Sequence, residues 1–181
     1  KTMADETPYE LKWKGEEEGK PSVDPDKRGE ADATFPNGDK FSGNYADGKR
    51  NGKGTYTWAP PKQEEGEDEP KPGSSYEGDW KDGKKHGNGV LKYEDGSEYR
   101  GEFKDGQKSG KGIYYYANGD SYIGSWEKDQ RHGQGTYSFA ACKSIYTGSW
   151  TMGKMTKGTW QLHDQSTKKI SKKKSAAWEE E

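Results

Sequence analysis

Three groups of residues in this 181-residue chain are of types that do chemistry, and their spacing decides whether they can do it together. His86 and His132 would suit metal ligation or proton transfer near neutral pH. They share one phase of a 23-residue recurrence, with Asn51 and Ser109 in the equivalent slots. If each recurrence is a pair of strands, roughly 19 Å separates the two imidazoles, too far for two ligands of one ion. His163 has no neighbour in sequence that would make it a base. Gly48 to Thr55 and Gly106 to Ile113 echo a phosphate-binding loop, yet Lys53 and Lys111 precede Gly54 and Gly112 where Ser or Thr is required, and no helix follows. Cys142 takes the place of a turn glycine, and no Gly-x-Ser-x-Gly elbow occurs. The expectation is a protein that is not an enzyme and has no cofactor, no metal site and no catalytic residue.

The elements that would position side chains are read from composition and repetition. Hydrophobic residues make up only 25% and glycine contributes 26 residues, too little aliphatic material for a thick core. Such a composition alone reads as disorder. Against that, the net charge is only −2 and aromatic residues reach 13%, so the chain is neither self-repelling nor poor in contact surface. No run approaches the roughly 18–20 apolar residues of a membrane-spanning helix. A single cysteine is read as a chain from a reducing compartment.

Aromatic and glycine residues recur in register. Tyr76-Gly78-Trp80, Tyr99-Gly101-Phe103 and Tyr122-Gly124-Trp126 are spaced by 23 residues, and Phe41-Gly43-Tyr45 and Tyr146-Gly148-Trp150 add two copies. Each of the first four copies is followed by a turn and a glycine pair: Gly52 and Gly54, Gly87 and Gly89, Gly110 and Gly112, Gly133 and Gly135. Alternation of strand side chains puts Tyr76, Gly78 and Trp80 on one face and Glu77 and Asp79 on the other. By the same alternation Gly87, Gly89, Leu91 and Tyr93 share a face. The expected fold is all-β: stacked antiparallel hairpins forming an elongated twisted ribbon of roughly 50–60 Å, with rings laid over glycines. Three regions are expected. Residues 1–40 hold a degenerate repeat (Tyr9, Leu11, Trp13, Gly29, Ala31), 41–162 the array with an acidic insert at 59–75, and 163–181 a flexible tail of basic and acidic residues.

The pattern Y-x-G-x-W-x-x-G-x-x-H-G-x-G, seen from Tyr76 to Gly89, resembles the MORN repeat, and the resemblance extends from about Tyr9 to Trp160. Arg28 to Tyr56 and Gly112 to Tyr137 further resemble the MORN-containing head proteins of ciliary radial spokes. That resemblance implies a non-enzymatic structural subunit of the axoneme, in a cilium or flagellum, contacting other radial spoke head proteins.

Two surfaces are expected to bind partners. One is the ring face: Tyr76, Trp80, Tyr99, Phe103, Tyr122, Trp126, Tyr146 and Trp150 would line a groove for a peptide or helix, unless the rings only pack on one another. The other is charge sorted by edge. Turns inside repeats (46–53, 81–88, 104–111, 127–134) carry +2, +2, +2 and 0, whereas connections between repeats (35–40, 59–75, 93–98, 116–121, 140–145) carry 0, −3, −3, −1 and +1. A basic edge with Lys49, Arg50, Lys84, Lys85 and Lys108 would orient the ribbon between partners or pair two copies as a homodimer, unless the charge serves solubility alone. The alternatives are anionic membrane lipid met by those cations with Lys53 and Lys111, or a targeting module of a larger protein. A pI near 6.0 without a continuous basic groove argues against nucleic acid.

Overall fold

The computed structural model describes residues 10–14, 28–61, 72–164 and 169–175, with backbone alone at Glu10, Asp164 and 169–175. The acids of the expected insert (Glu64, Glu65, Glu67, Asp68, Glu69) and the end of the expected tail lie outside these residues. The chain divides into two compact units, Lys1–Glu94 and Asp95–Glu181. In the first, β1 (Glu10–Trp13), β2 (Gly29–Thr34), β3 (Lys40–Ala46), β4 (Lys49–Thr57), β5 (Ser75–Lys81) and β6 (Lys84–Lys92) pair antiparallel in chain order. In the second, β7 (Glu98–Lys104), β8 (Gln107–Tyr115), β9 (Ser121–Glu127), β10 (Gln130–Phe139), β11 (Ser144–Thr151), β12 (Lys154–Asp164) and β13 (Lys169–Ser175) do the same. The fold class is therefore the expected one: all-β and built of successive antiparallel hairpins, with no helix among the described residues.

Hairpin geometry follows from the turn residues. Asp47-Gly48, Asp82-Gly83, Asp105-Gly106, Lys128-Asp129 and Met152-Gly153 each place two consecutive residues at positive φ. That is the two-residue turn whose twist matches paired strands, and Asp-Gly suits it best. Between repeats the chain turns differently. Gly38 donates its N–H to Phe35, and Gly119 to Tyr116, each at 2.9 Å. At the third such turn the sequence assigned the special backbone to Cys142, but the positive φ falls on Lys143.

Two findings depart from the sequence reading. First, strand alternation fails at the earlier glycine of each pair, because the register shifts between Gly78 and Asp79, between Gly101 and Glu102 and at the matching points elsewhere. Gly87 takes φ +55 in this bulge, and a Cβ there would meet the Asp79 carboxylate at 2.6 Å. Gly87 thus faces the polar side, away from Gly89 and Leu91. Second, the expected tail is in part a strand. Lys169–Ser175 pairs with Gly158–Asp164, because β12 would otherwise present an unpaired row of backbone groups on that side.

In each unit the core is one sheet face carpeted with rings. Phe41, Tyr56, Tyr76 and Leu91 lie in register across the first unit, and Tyr99, Tyr114, Tyr122, Tyr137, Tyr146 and Trp160 across the second.

Candidate interaction surfaces

The ring face is built from a glycine row. Gly101, Gly112, Gly124, Gly135, Gly148 and Gly158 stand side by side across β7 to β12. Tyr99, Tyr122 and Tyr146 each lie over a glycine of their own strand and one of the next, and a Cβ on Gly112 would come within 2.3 Å of the Tyr99 hydroxyl. That hydroxyl donates to the carbonyl of Glu102 at 3.0 Å, as Tyr76 does to Asp79 at 2.9 Å and Tyr122 to Ser125 at 3.0 Å. The bulge frees these carbonyls, which is why tyrosine dominates the position. The second aromatic of each repeat stands edge-on to the first: Tyr76 and Trp80 at 5.2 Å and 84°, Tyr122 and Trp126 at 5.2 Å and 87°.

These contacts consume the surface expected to receive a partner. Tyr76, Trp80, Tyr99, Phe103, Tyr122, Trp126, Tyr146 and Trp150 are all buried, Tyr76, Tyr99 and Tyr122 completely. The rings pack on one another, and none of these eight presents an open groove.

The basic edge is corrected in part. Arg50 is buried, with its guanidinium carbon 4.9 Å from the Trp80 ring centre and 5.1 Å from Tyr56. Its Nη2 donates to the Gly83 carbonyl of the next turn at 3.2 Å. Arg131, in the same phase, lies 4.3 Å from the Trp150 ring and donates to Gly153 at 2.9 Å. Lys85 stands over Trp58 and Tyr76. Lys108 Nζ stands over Tyr99, Tyr114 and Trp126, and burial pushes that ammonium below its ordinary pKa, although Asp129 acts against it. Of the cations assigned to partners, Arg50, Lys85 and Lys108 are therefore spent on the fold. Lys49, Lys53, Lys84 and Lys111 stay exposed.

A carboxylate node went unread in the sequence. Asp39 accepts from the Tyr56 hydroxyl and the Ala59 N–H, both at 2.7 Å. Asp120 repeats this with Tyr137 at 2.7 Å and Ala140 at 2.8 Å. Burial works against a charged Asp120, but the bonds from Tyr137, Ala140 and Asn118 outweigh it and hold the carboxyl below its ordinary range. The recurrence of Asn-Gly-Asp at 37–39 and 118–120 was the available signal.

In each unit the open surface is the opposite face, and its residues differ between the two. In the first, Asp32, Ser42, Thr55, Glu77 and Val90 lie in register, with a carboxylate on two of the five strands. In the second, the same row reads Arg100, Ile113, Ile123, Thr136, Thr147 and Thr159. Ile123 is 55% exposed and Tyr115, two residues beyond Ile113 on β8, is 43% exposed. Lys111, Gln134 and the strand backbones complete a shallow trough of about 540 Å³ between this row and the next. The Arg100 guanidinium is matched by Glu98.

Among the described residues, the histidines and the cysteine singled out in the sequence lie apart from one another. His132 Nε2 lies 3.5 Å from Glu127 across its turn, and the carbonyl of His86 accepts a long bond from Tyr76. Cys142 is exposed, its thiol held below the ordinary range by hydrogen bonding with Ser144.

Comparison with known proteins finds the MORN repeat model at residues 41–60, 76–98, 99–121 and 122–141. The copy at Tyr146-Gly148-Trp150 lies outside these matches yet folds alike, with Tyr146 over Gly158. No curated protein sequence matches the chain. Among solved structures, the SAS-4 (dCPAP) TCP domain of Drosophila melanogaster, in complex with a proline-rich motif of Ana2 (dSTIL), shares 13% identity over 87% of this chain and 96% of its own. Its TM-score of 0.39 is too low to bear on the fold. Residues 41–141 of this chain are an array of four MORN repeats, an all-β module of the kind that contacts proteins or membranes.

Proposed function

We propose that this chain is a non-enzymatic scaffold subunit working by protein–protein contact, in the radial spoke head of a ciliary or flagellar axoneme. The observation that carries the mode of action is the division of labour between faces: the rings hold the sheet together, and the second unit turns to solvent a partly apolar row whose one charged member, Arg100, is matched by Glu98. A solvent-facing surface with Ile123, Ile113 and the neighbouring Tyr115 gains by being covered, whereas the first unit's row with Asp32 and Glu77 does not. The resemblance of Arg28 to Tyr56 and Gly112 to Tyr137 to spoke-head proteins supports the location. The lipid reading loses ground because Arg50, Lys85 and Lys108 turn inward onto rings, which breaks the basic strip a headgroup layer would meet.

Crosslinking with mass spectrometry on native cilia tests the proposal. Crosslinks from this chain to other spoke-head proteins are the expected result. Crosslinks only to soluble enzymes or membrane proteins overturn it.

A further inference from the structure

The trough on the open face of the second unit has one charge that its own fold leaves unmatched. In the first unit Lys53 extends across to the neighbouring strand and meets the Asp79 carboxylate at 2.7 Å, and that bond holds the Asp79 carboxyl below its ordinary range. Lys111 occupies the same place in its own repeat: each lysine precedes the glycine paired with the next strand's repeat glycine, Gly54 with Gly78 and Gly112 with Gly124. The residue opposite Lys111, however, is Ser125. Lys111 Nζ reaches the Ser125 hydroxyl at 2.9 Å, and among the described residues no carboxylate lies within ion-pair distance of it. The nearby Glu102 carboxylate accepts the Lys111 backbone N–H at 2.8 Å instead. A hydroxyl is a neutral partner, so the ammonium keeps most of its appetite for an anion.

Next to this charge the trough is short and lined by uncharged groups, apart from Arg100 at its β7 end, whose charge Glu98 matches. Ile113 and Ile123 flank Lys111 on one side, Thr136, Thr147 and Gln134 continue away from it, and Gly112, Gly124 and Gly135 contribute backbone. It crosses the strands from β7 to β11, a span of roughly 19 Å at about 4.8 Å per strand, the reach of five or six extended residues. We propose that the trough takes an extended segment of another protein that places an Asp or Glu carboxylate on Lys111 and small apolar side chains against Ile113 and Ile123. This rests on the protein-scaffold reading above and names the chemistry of the partner it needs. The carboxylate replaces the missing counterpart of Asp79, and the apolar neighbours cover the exposed isoleucine.

The test uses the full chain, isotope-labelled for NMR, titrated with two random heptapeptide pools of Ala, Val, Ser and Gly. One pool carries a central Glu and the other a central Gln. The expected result is perturbation of amides near Lys111, Ile113, Ile123 and Gln134 by the Glu pool, with about tenfold weaker effect from the Gln pool. Ser125→Asp restores the Lys53–Asp79 arrangement and is expected to abolish the Glu preference while keeping the fold, and Lys111→Met is expected to do the same. Equal response to both pools, no response to either, or a Glu preference that survives Ser125→Asp overturns the proposal. Perturbation of the same amides by phosphatidylserine vesicles or inorganic phosphate, with none by the Glu pool, also overturns it and assigns the lysine to those anions. In native cilia, crosslinks to spoke-head proteins that persist in Ser125→Asp remove the Lys111 anchor and leave the scaffold reading standing. Wild-type chain that crosslinks to no spoke component sinks the reading itself.

Discussion

Glycine does two separate jobs in this chain, and they differ in what alanine would cost. At Gly112 the φ angle is ordinary but a Cβ would sit 2.3 Å from the Tyr99 hydroxyl and 2.5 Å from its ring carbons. At Gly106 nothing lies within 4 Å, but φ is +91. Gly112→Ala is therefore expected to destabilise by about 2–3 kcal/mol through overpacking, and Gly106→Ala by about 1 kcal/mol through backbone strain alone. Urea unfolding of both variants checks the order. Tyr99→Phe keeps the ring and removes the bond to Glu102, so its expected cost is about 1 kcal/mol. The ring-over-glycine partnership was legible because both residues recur every 23 positions. The inward turn of Arg50 and Lys108 was not, since a cation beside a turn reads as solvated unless the ring beneath it is known.

At the scale of the element, the hairpin turn sets register, and one of them lacks glycine. Lys128 and Asp129 take φ 48 and 67, values that L-residues adopt at a cost. Replacing the pair by Asn-Gly is expected to stabilise the β9–β10 hairpin by about 1 kcal/mol, unless the loss of Asp129, which accepts the Lys108 N–H at 2.9 Å, offsets the gain. Asp129→Asn alone, which removes the carboxylate without adding glycine, measures the lost bond in the same unfolding assay. The opposite turns depend on side chains. Asp120→Ala leaves the Tyr137 hydroxyl and the Ala140 N–H without their acceptor and is expected to cost about 2–3 kcal/mol. Strand order and hairpin spacing could be read from the sequence. The bulge that sends Gly87 to the polar face could not, because alternation counts residues as if every one were paired. Nor could β13 be read, because its lysines carry no repeat signature.

At the scale of the whole molecule, stability rests on many neutral, buried tyrosines in place of an aliphatic core. Burial pushes Tyr45 and Tyr122 from the ordinary value of 10.0 up to about 12, against the pull of Arg50 and Arg131 respectively. Tyr76, Tyr99 and Tyr137 move higher still, again chiefly by burial. A folded-state pKa above the unfolded one contributes stability that is complete below about pH 10 and disappears as pH rises toward and past 12. Alkaline unfolding is therefore expected to be abrupt in that window, with tyrosinate absorbance and loss of β-sheet circular dichroism rising together. Tyrosinate formation well before the sheet melts would show that the rings are more accessible than their burial implies.

The scaffold role depends most directly on which surface meets a partner. Photo-crosslinking in ciliated cells, with a benzophenone amino acid replacing Ile123 on the open face or Lys84 on the turn edge, measures that in one experiment. Position 123 is expected to give adducts with radial spoke head proteins in clear excess over position 84. Adducts from position 84 alone, adducts from position 123 only with lipid, or none from either contradict the account.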